Sequence, residues 1–237
     1  MLDKWLESAA WNNAAGLNGE IRAVVVEFHG LGAGGTYRTD GSPLELELAR
    51  QNILVIAPFY GPWSWMNRLS RAYVDEVVAR TYAEFALDEQ LPLIASGGSM
   101  GGCAALLYCR YGKKTPVACD VLFPVCDLPG HYQERPDLPS SMHYAFYGYP
   151  EPLEEVLAEH SPLHQVGQMP RIPYLFCHGT ADDRVSKRLH SDSMVAALRR
   201  LGHTVEYLEV PGMRHGLNVP LGVMQKRLEF ITGFKAE

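Results

Sequence analysis

The chain has 237 residues, 47% hydrophobic and 20% charged, so it can bury a substantial core as one large α/β domain or two small ones. Its formal net charge is −6 and its basic residues are scattered, with Lys113-Lys114 and Arg199-Arg200 the densest pairs. These numbers exclude a polyanion-binding surface, so no nucleic-acid partner is expected, and no apolar run approaches the length of a membrane span.

In chain order, residues 1–20 read as a short amphipathic or irregular lead-in. Met1-Leu2-Asp3-Lys4-Trp5-Leu6-Glu7 is charged and lacks an apolar h-region, so no signal peptide is expected. Ile21–Phe28 is β-branched and almost continuously apolar, as a strand buried on both faces of a parallel sheet should be. Glu27 is out of place there. It either bonds to loop amides above the sheet or reaches solvent. His29–Gly35 follows as a glycine-rich loop. Ser42-Pro43-Leu44-Glu45 then spells a helix start that runs to about Gln51. Ile53–Ala57 is a second strand. Pro58–Asn67 is a loop dense in aromatics, and Ser70–Leu87 has the apolar spacing of a long helix.

Leu91–Ser96 is the third strand, Gly101–Tyr111 a helix, and Ala118–Phe123 the fourth strand. Residues 127–169 break the alternation. They are rich in Pro, His and Tyr, hold one short helix around Pro152–His160, and read as an insertion above the sheet. The alternation then resumes with a strand at Ile172–Cys177, a helix at Val185–Leu201, a strand at Thr204–Val210 and a closing helix at Pro220–Phe234. There are no repeats and no low-complexity linker. The expectation is one doubly wound, mostly parallel α/β sheet of about six strands flanked by helices, a single domain over 1–237.

The five cysteines, Cys103, Cys109, Cys119, Cys126 and Cys177, form no C-x-x-C motif. Four of them lie in apolar stretches and read as buried free thiols, which favours a reducing compartment and a cytoplasmic location.

Four segments fall at the carboxyl ends of expected strands, the edge where such sheets bind ligands. One is Gly97-Gly98-Ser99-Met100-Gly101, a tight strand-to-helix turn of the form G-x-S-x-G. The others are His29–Gly35, His178-Gly179-Thr180-Ala181-Asp182-Asp183-Arg184-Val185, and Pro211-Gly212-Met213-Arg214-His215-Gly216-Leu217. The order Ser99, an aspartate of the 182–183 pair, then His215 is the order Ser…Asp…His.

On these residues the chain resembles serine esterases of the α/β-hydrolase superfamily over roughly residues 21–235. Its second half is similar to the catalytic domains of the prolyl oligopeptidase family and to dienelactone-hydrolase-like esterases. Ser161-Pro162-Leu163 followed by His-Gly-Thr-Ala-Asp-Asp-Arg-Val carries most of that likeness. At 237 residues, no N-terminal propeller like the oligopeptidases' is expected. It carries serine where dienelactone hydrolases carry cysteine. Its sheet is also expected to lack the first two strands of the full hydrolase fold.

The resemblance implies Ser99 as nucleophile, His215 as general base and then acid, and Asp182 as the residue that fixes the imidazole. Asp183 is left to cap the following helix or to partner Arg184. The oxyanion hole is expected from the Met100 amide and an amide of the His29 loop, Leu31 first and Gly32 second. His29 and His178 read as structural.

Tyr60, Trp63 and Trp65 are candidate substrate-binding residues, with Phe59 in the same aromatic loop. Tyr144, Phe146, Tyr147 and Tyr149 have two readings, a partial lid or a homodimer contact. His160 and His164 have metal-ligand spacing, but Ser161-Pro162 between them starts a fresh helix, so no zinc site is expected there. The 32–35 glycines lack the ending of a phosphate-binding loop. No metal and no cofactor are expected.

The function expected is hydrolysis of small to medium, partly apolar carboxylic esters through an acyl-enzyme. An oligopeptidase-type peptidase or amidase, or a thioesterase, would use the same triad, and a non-catalytic hydrolase-fold binding protein is the reading from another class.

Overall fold

The computed structural model describes residues 4–32, 41–216 and 218–236. Residues 33–35 of the glycine loop and Leu217 lie outside the described residues.

The lead-in is more ordered than its sequence suggests. It forms α1 (Lys4–Ala9) and a three-residue strand, β1 (Ala10–Asn12). Asn13 then locks it down. Its side chain donates to the carbonyls of Glu45 and Ile53, at 2.9 and 3.2 Å, and accepts from the Val55 amide at 2.8 Å. β2 (Ala23–Phe28) is followed by α2 (Pro43–Arg50), which opens with the expected capping box between Ser42 and Glu45. β3 (Ile53–Pro58) leads to α3 (Arg68–Glu84), capped by the Asn67 side chain on the Ser70 amide at 2.9 Å.

Next come β4 (Leu93–Gly98), α4 (Met100–Tyr111) and β5 (Ala118–Leu122). Residues 127–169 hold three short helices, not one: α5 (Leu128–Glu134), α6 (Leu138–Ala145) and α7 (Leu153–Glu159). β6 (Tyr174–Gly179) precedes a π-helical turn at Arg188–Asp192 that runs into α8 (Ser193–Arg200). β7 (Val205–Val210) and α9 (Leu221–Thr232) close the chain.

Among the described residues the strands form one seven-stranded sheet in the order β1-β3-β2-β4-β5-β6-β7. Every neighbouring pair is parallel except β1 and β3, which run antiparallel with Ala10 opposite Pro58. The sheet is therefore mixed and one strand larger than expected.

Side chains alternate across each strand, and the two faces build separate cores. Val24, Val26 and Phe28 of β2 join the cluster that holds Val74 and Val77 of α3 and most of α4. Ala23 and Val25 meet Leu48 of α2 and Ile231 of α9 on the other face. Each fully buried valine or leucine contributes ~1.5–3 kcal/mol relative to exposure. Met100 through Cys109 of α4 are all buried, as befits a helix that is apolar all round and covered on its outer side as well.

Glu27 is half-buried, and its neighbours along the sheet are polar side chains. It stands in register with Ser96, and Ser96 with Asp120, as a polar stripe across β2, β4 and β5. Arg227 of α9 pairs with Asp120 at 2.7 Å and donates to Ser96 at 3.1 Å. Burial raises the Glu27 carboxyl to about 7, against the pull of Arg227 and the Ser96 hydrogen bond.

Candidate active site

Ser99 sits between β4 and α4 with φ 59 and ψ −122. Such a backbone costs on the order of 1–3 kcal/mol in a residue other than glycine, and it persists only where its surroundings fix it. Here the Ser99 amide donates to the Leu122 carbonyl at 3.0 Å, and the Ser99 carbonyl accepts from Val125 at 3.1 Å and Cys103 at 3.2 Å. The glycine at 101 is dictated by space. A Cβ there would collide with the Phe28 carbonyl and lie 2.8 Å from the His29 oxygen.

Asp182 and His215 meet. The imidazole Nδ1 is 2.8 Å from Asp182 Oδ2, and the Asp182 side chain is 1% exposed. Asp182 Oδ1 accepts from the amides of Arg184 and Val185 at 2.9 and 3.0 Å, so the residue also caps its own loop. Burial would raise its pKa, but hydrogen bonds from His178, His215, Val185 and Arg184 outweigh burial and hold the carboxylate well below its ordinary range. An ionised Asp182 accepts a hydrogen bond from the Nδ1–H of His215, which leaves the lone pair on Nε2. The Phe123 ring packs 4.2 Å from the imidazole and limits its rotation.

Asp183 neither caps the loop nor pairs with Arg184. It is exposed and pairs with Arg214 at 2.5 Å.

His178 is structural, as expected, but its partner was not foreseen. It is fully buried, with Nε2 3.2 Å from Asp182 Oδ2 and from the Val185 carbonyl, and Nδ1 2.7 Å from Ser191 Oγ. Asp182 thus lies between two histidines. Only the spacing His-Gly-x-x-Asp carries any sign of this in the sequence.

Around the expected oxyanion site, Met100 is the first residue of α4, where helix amides lack internal partners. Gly32 is already engaged, since its amide donates to the Pro62 carbonyl at 2.8 Å. Tyr60 braces the preceding turn. Its hydroxyl donates to the His29 carbonyl at 2.8 Å and its ring stacks on the imidazole at 4.2 Å.

Tyr60 and Trp65 are only 3% and 1% exposed, and Trp65 Nε1 donates to Ser141 at 3.0 Å. Both belong to the main hydrophobic core, not to an open surface where a substrate-binding role was expected. Trp63 is 45% exposed and meets Tyr144 of the insertion edge-on at 6.2 Å. Phe146 is core, Tyr149 accepts from the Arg68 amide at 2.6 Å, and Tyr147 stands in solvent. His160 is buried against Arg71 and Phe146, and burial, then the Arg71 charge, pushes its pKa down to about 2. His164 turns to Asp127 at 3.3 Å, so the two do not converge on an ion.

The model of the prolyl oligopeptidase family matches residues 73–237. The chain belongs to the prolyl oligopeptidase family. No curated protein sequence matches it.

Among solved structures, this prolyl oligopeptidase family chain is similar to a Mycobacterium tuberculosis puromycin-hydrolyzing peptidase, with 22% identity and a TM-score of 0.72 over 92% of this chain and 34% of that one. A Pyrococcus horikoshii acylaminoacyl peptidase matches with 16% identity and a TM-score of 0.75 over 95% of this chain and 38% of that one. A thermophilic esterase from Thermogutta terrifontis matches with 20% identity and a TM-score of 0.63 over 95% of this chain and 87% of that one. The chain spans little more than a third of those peptidases' length. At these identities the likeness concerns the fold, which is that of the α/β hydrolases. Among the described residues, no helix is long and apolar enough to cross a membrane.

Proposed function

We propose that residues 1–237 act as one serine-hydrolase domain that cleaves small to medium carboxylic esters with an apolar part, through an acyl-enzyme. The observation that carries this reading is the half-buried Asp182–His215 pair, 2.8 Å apart, set at the same sheet edge as the strained Ser99 turn. Ser99 Oγ attacks the ester carbonyl while His215 Nε2 takes its proton, and Asp182 stabilises the imidazolium. The Met100 and Leu31 amides receive the charge that develops on the oxygen. His215 then returns the proton to the leaving alcohol, and water repeats the cycle on the acyl-Ser99. Trp63, with Tyr144 of the insertion, lines the approach for an apolar or aromatic group. The insertion at about 127–169 serves as a partial lid.

The test is covalent labelling with a fluorophosphonate and turnover of aryl esters. Labelling that persists in Ser99→Ala, or no labelling at all, refutes the reading. A peptidase or amidase is the second reading, favoured by the peptidases among the family's structural relatives. Matched aryl ester and anilide substrates separate the two by the ratio of kcat/KM.

A further inference from the structure

The segment after β5 runs beside the nucleophile. The Val125 amide donates to the Ser99 carbonyl at 3.1 Å, and the next two amides, Cys126 and Asp127, both donate to His190 Nδ1 at 3.1 Å. Two donors on Nδ1 place its lone pair there, so the neutral imidazole carries its proton on Nε2. That proton faces Glu134 of α5, whose Oε2 is 2.9 Å away. The same oxygen takes His131 Nδ1 at 2.5 Å, and Oε1 takes the Ser186 amide at 3.2 Å. Ser186 directly follows Val185, whose amide Asp182 holds. One carboxylate thus fastens both the strip beside Ser99 and the loop that carries Asp182.

The grip is an interior one. The side chains of His131 and His190 are 2% and 0% exposed. Burial opposes the negative charge, but the two imidazole donors outweigh it and hold Glu134 at a pKa of about 2. The three side chains also offer ligand atoms within 4.8 Å of one another, the spacing of a metal site. Proton count argues against that use. The single lone pair of His190 is spent on two backbone amides, so Nε2 has none for a cation.

We infer that Glu134 is a positioning residue: through His190 and Ser186 it sets the Ser99 strip and the Asp182 loop at their working separation without touching substrate. The inference rests on the serine-hydrolase reading above.

The test compares wild type, Glu134→Gln, His190→Asn and the double variant on an aryl ester, with active sites counted by fluorophosphonate titration. In Glu134→Gln the new side-chain amide turns N–H groups toward an imidazole that also donates. In His190→Asn the shorter side chain keeps an acceptor for the Cys126 and Asp127 amides but does not reach Glu134. The expected result is a fall of about tenfold in kcat per titrated site in each single variant, with KM held within about twofold. The double variant should be no slower than the slower single one, because both cut the same link.

A wild-type kcat in either folded variant overturns the inference, as do losses that multiply in the double. If Glu134→Gln does not fold, His190→Asn decides alone, by the same kcat and KM criteria. An inert wild-type chain overturns the hydrolase reading and this inference together. An active wild type with unchanged variants overturns this inference only.

Discussion

Asp182→Asn is the most informative single change. Oδ1 of Asp182 accepts two backbone amides, at 2.9 and 3.0 Å, so the asparagine oxygen must stay on that side. The new amide nitrogen then occupies the place of Oδ2 and points its protons at His215 Nδ1 and His178 Nε2. His215 answers by moving its proton to Nε2, the nitrogen that the proposed mechanism needs empty to accept the proton of Ser99. In a serine hydrolase this tautomer error costs about 10⁴-fold in kcat, or about 5 kcal/mol of barrier. His178 retains the Val185 carbonyl at 3.2 Å, so its side of the site is only partly unsatisfied. The stability loss should be about 1–3 kcal/mol.

Steady-state turnover of an aryl ester, with folding checked by circular dichroism and urea unfolding, reads both numbers. The control is Asp183→Asn, which removes an exposed ion pair with Arg214 and should leave kcat within about twofold. Folded Asp182→Asn with kcat within about tenfold of wild type would refute the reasoning, as would loss of activity on changing Asp183 instead.

Three further outcomes are expected. The Glu27 carboxyl titrates near 7 in the fold, above its ordinary 4.5, so its contribution to stability is fully present below about 4.5 and is lost as pH rises through 7. Glu27→Gln should therefore gain on wild type by up to about 3 kcal/mol between pH 5 and pH 8 in urea unfolding, and a pH-independent difference would contradict this. Gly101→Ala forces a Cβ into the Phe28 carbonyl and should destabilise the fold by about 3 kcal/mol or more; an unchanged urea midpoint would rule out the steric account. Trp63→Ala should raise KM for aromatic esters about fivefold while leaving thermal stability unchanged. An equal effect on acetyl esters would remove Trp63 from the apolar contact.

The sheet was legible in the sequence because its inner strands are buried on both faces and read as apolar runs, as with Ile53–Pro58. β1 was not legible, since three residues carry no period and its pairing with β3 depends on distant chain. α5 and α6 were hidden by their shortness, although both open on the same Asp-Leu-Pro triplet at 127–129 and 137–139, a start signal in hindsight. Ser99, Asp182 and His215 stood out because their turn motifs are local. The contacts of Tyr60 and Glu134 join segments far apart in sequence, and no spacing rule predicts them.

Among the described residues, β7 borders the sheet and pairs only with β6. Its outward-facing glutamates lie on opposite faces of the strand: Glu206 is tied to Lys226 of α9 at 2.8 Å, and Glu209 to Lys187 at 2.7 Å. A second copy docking edge to edge would bring matching charges against each face and would have to strip water from both pairs. The strand that leaves its ladder open thus carries gatekeepers against runaway stacking and aggregation, protection that matters most while a newly made chain is still completing its sheet.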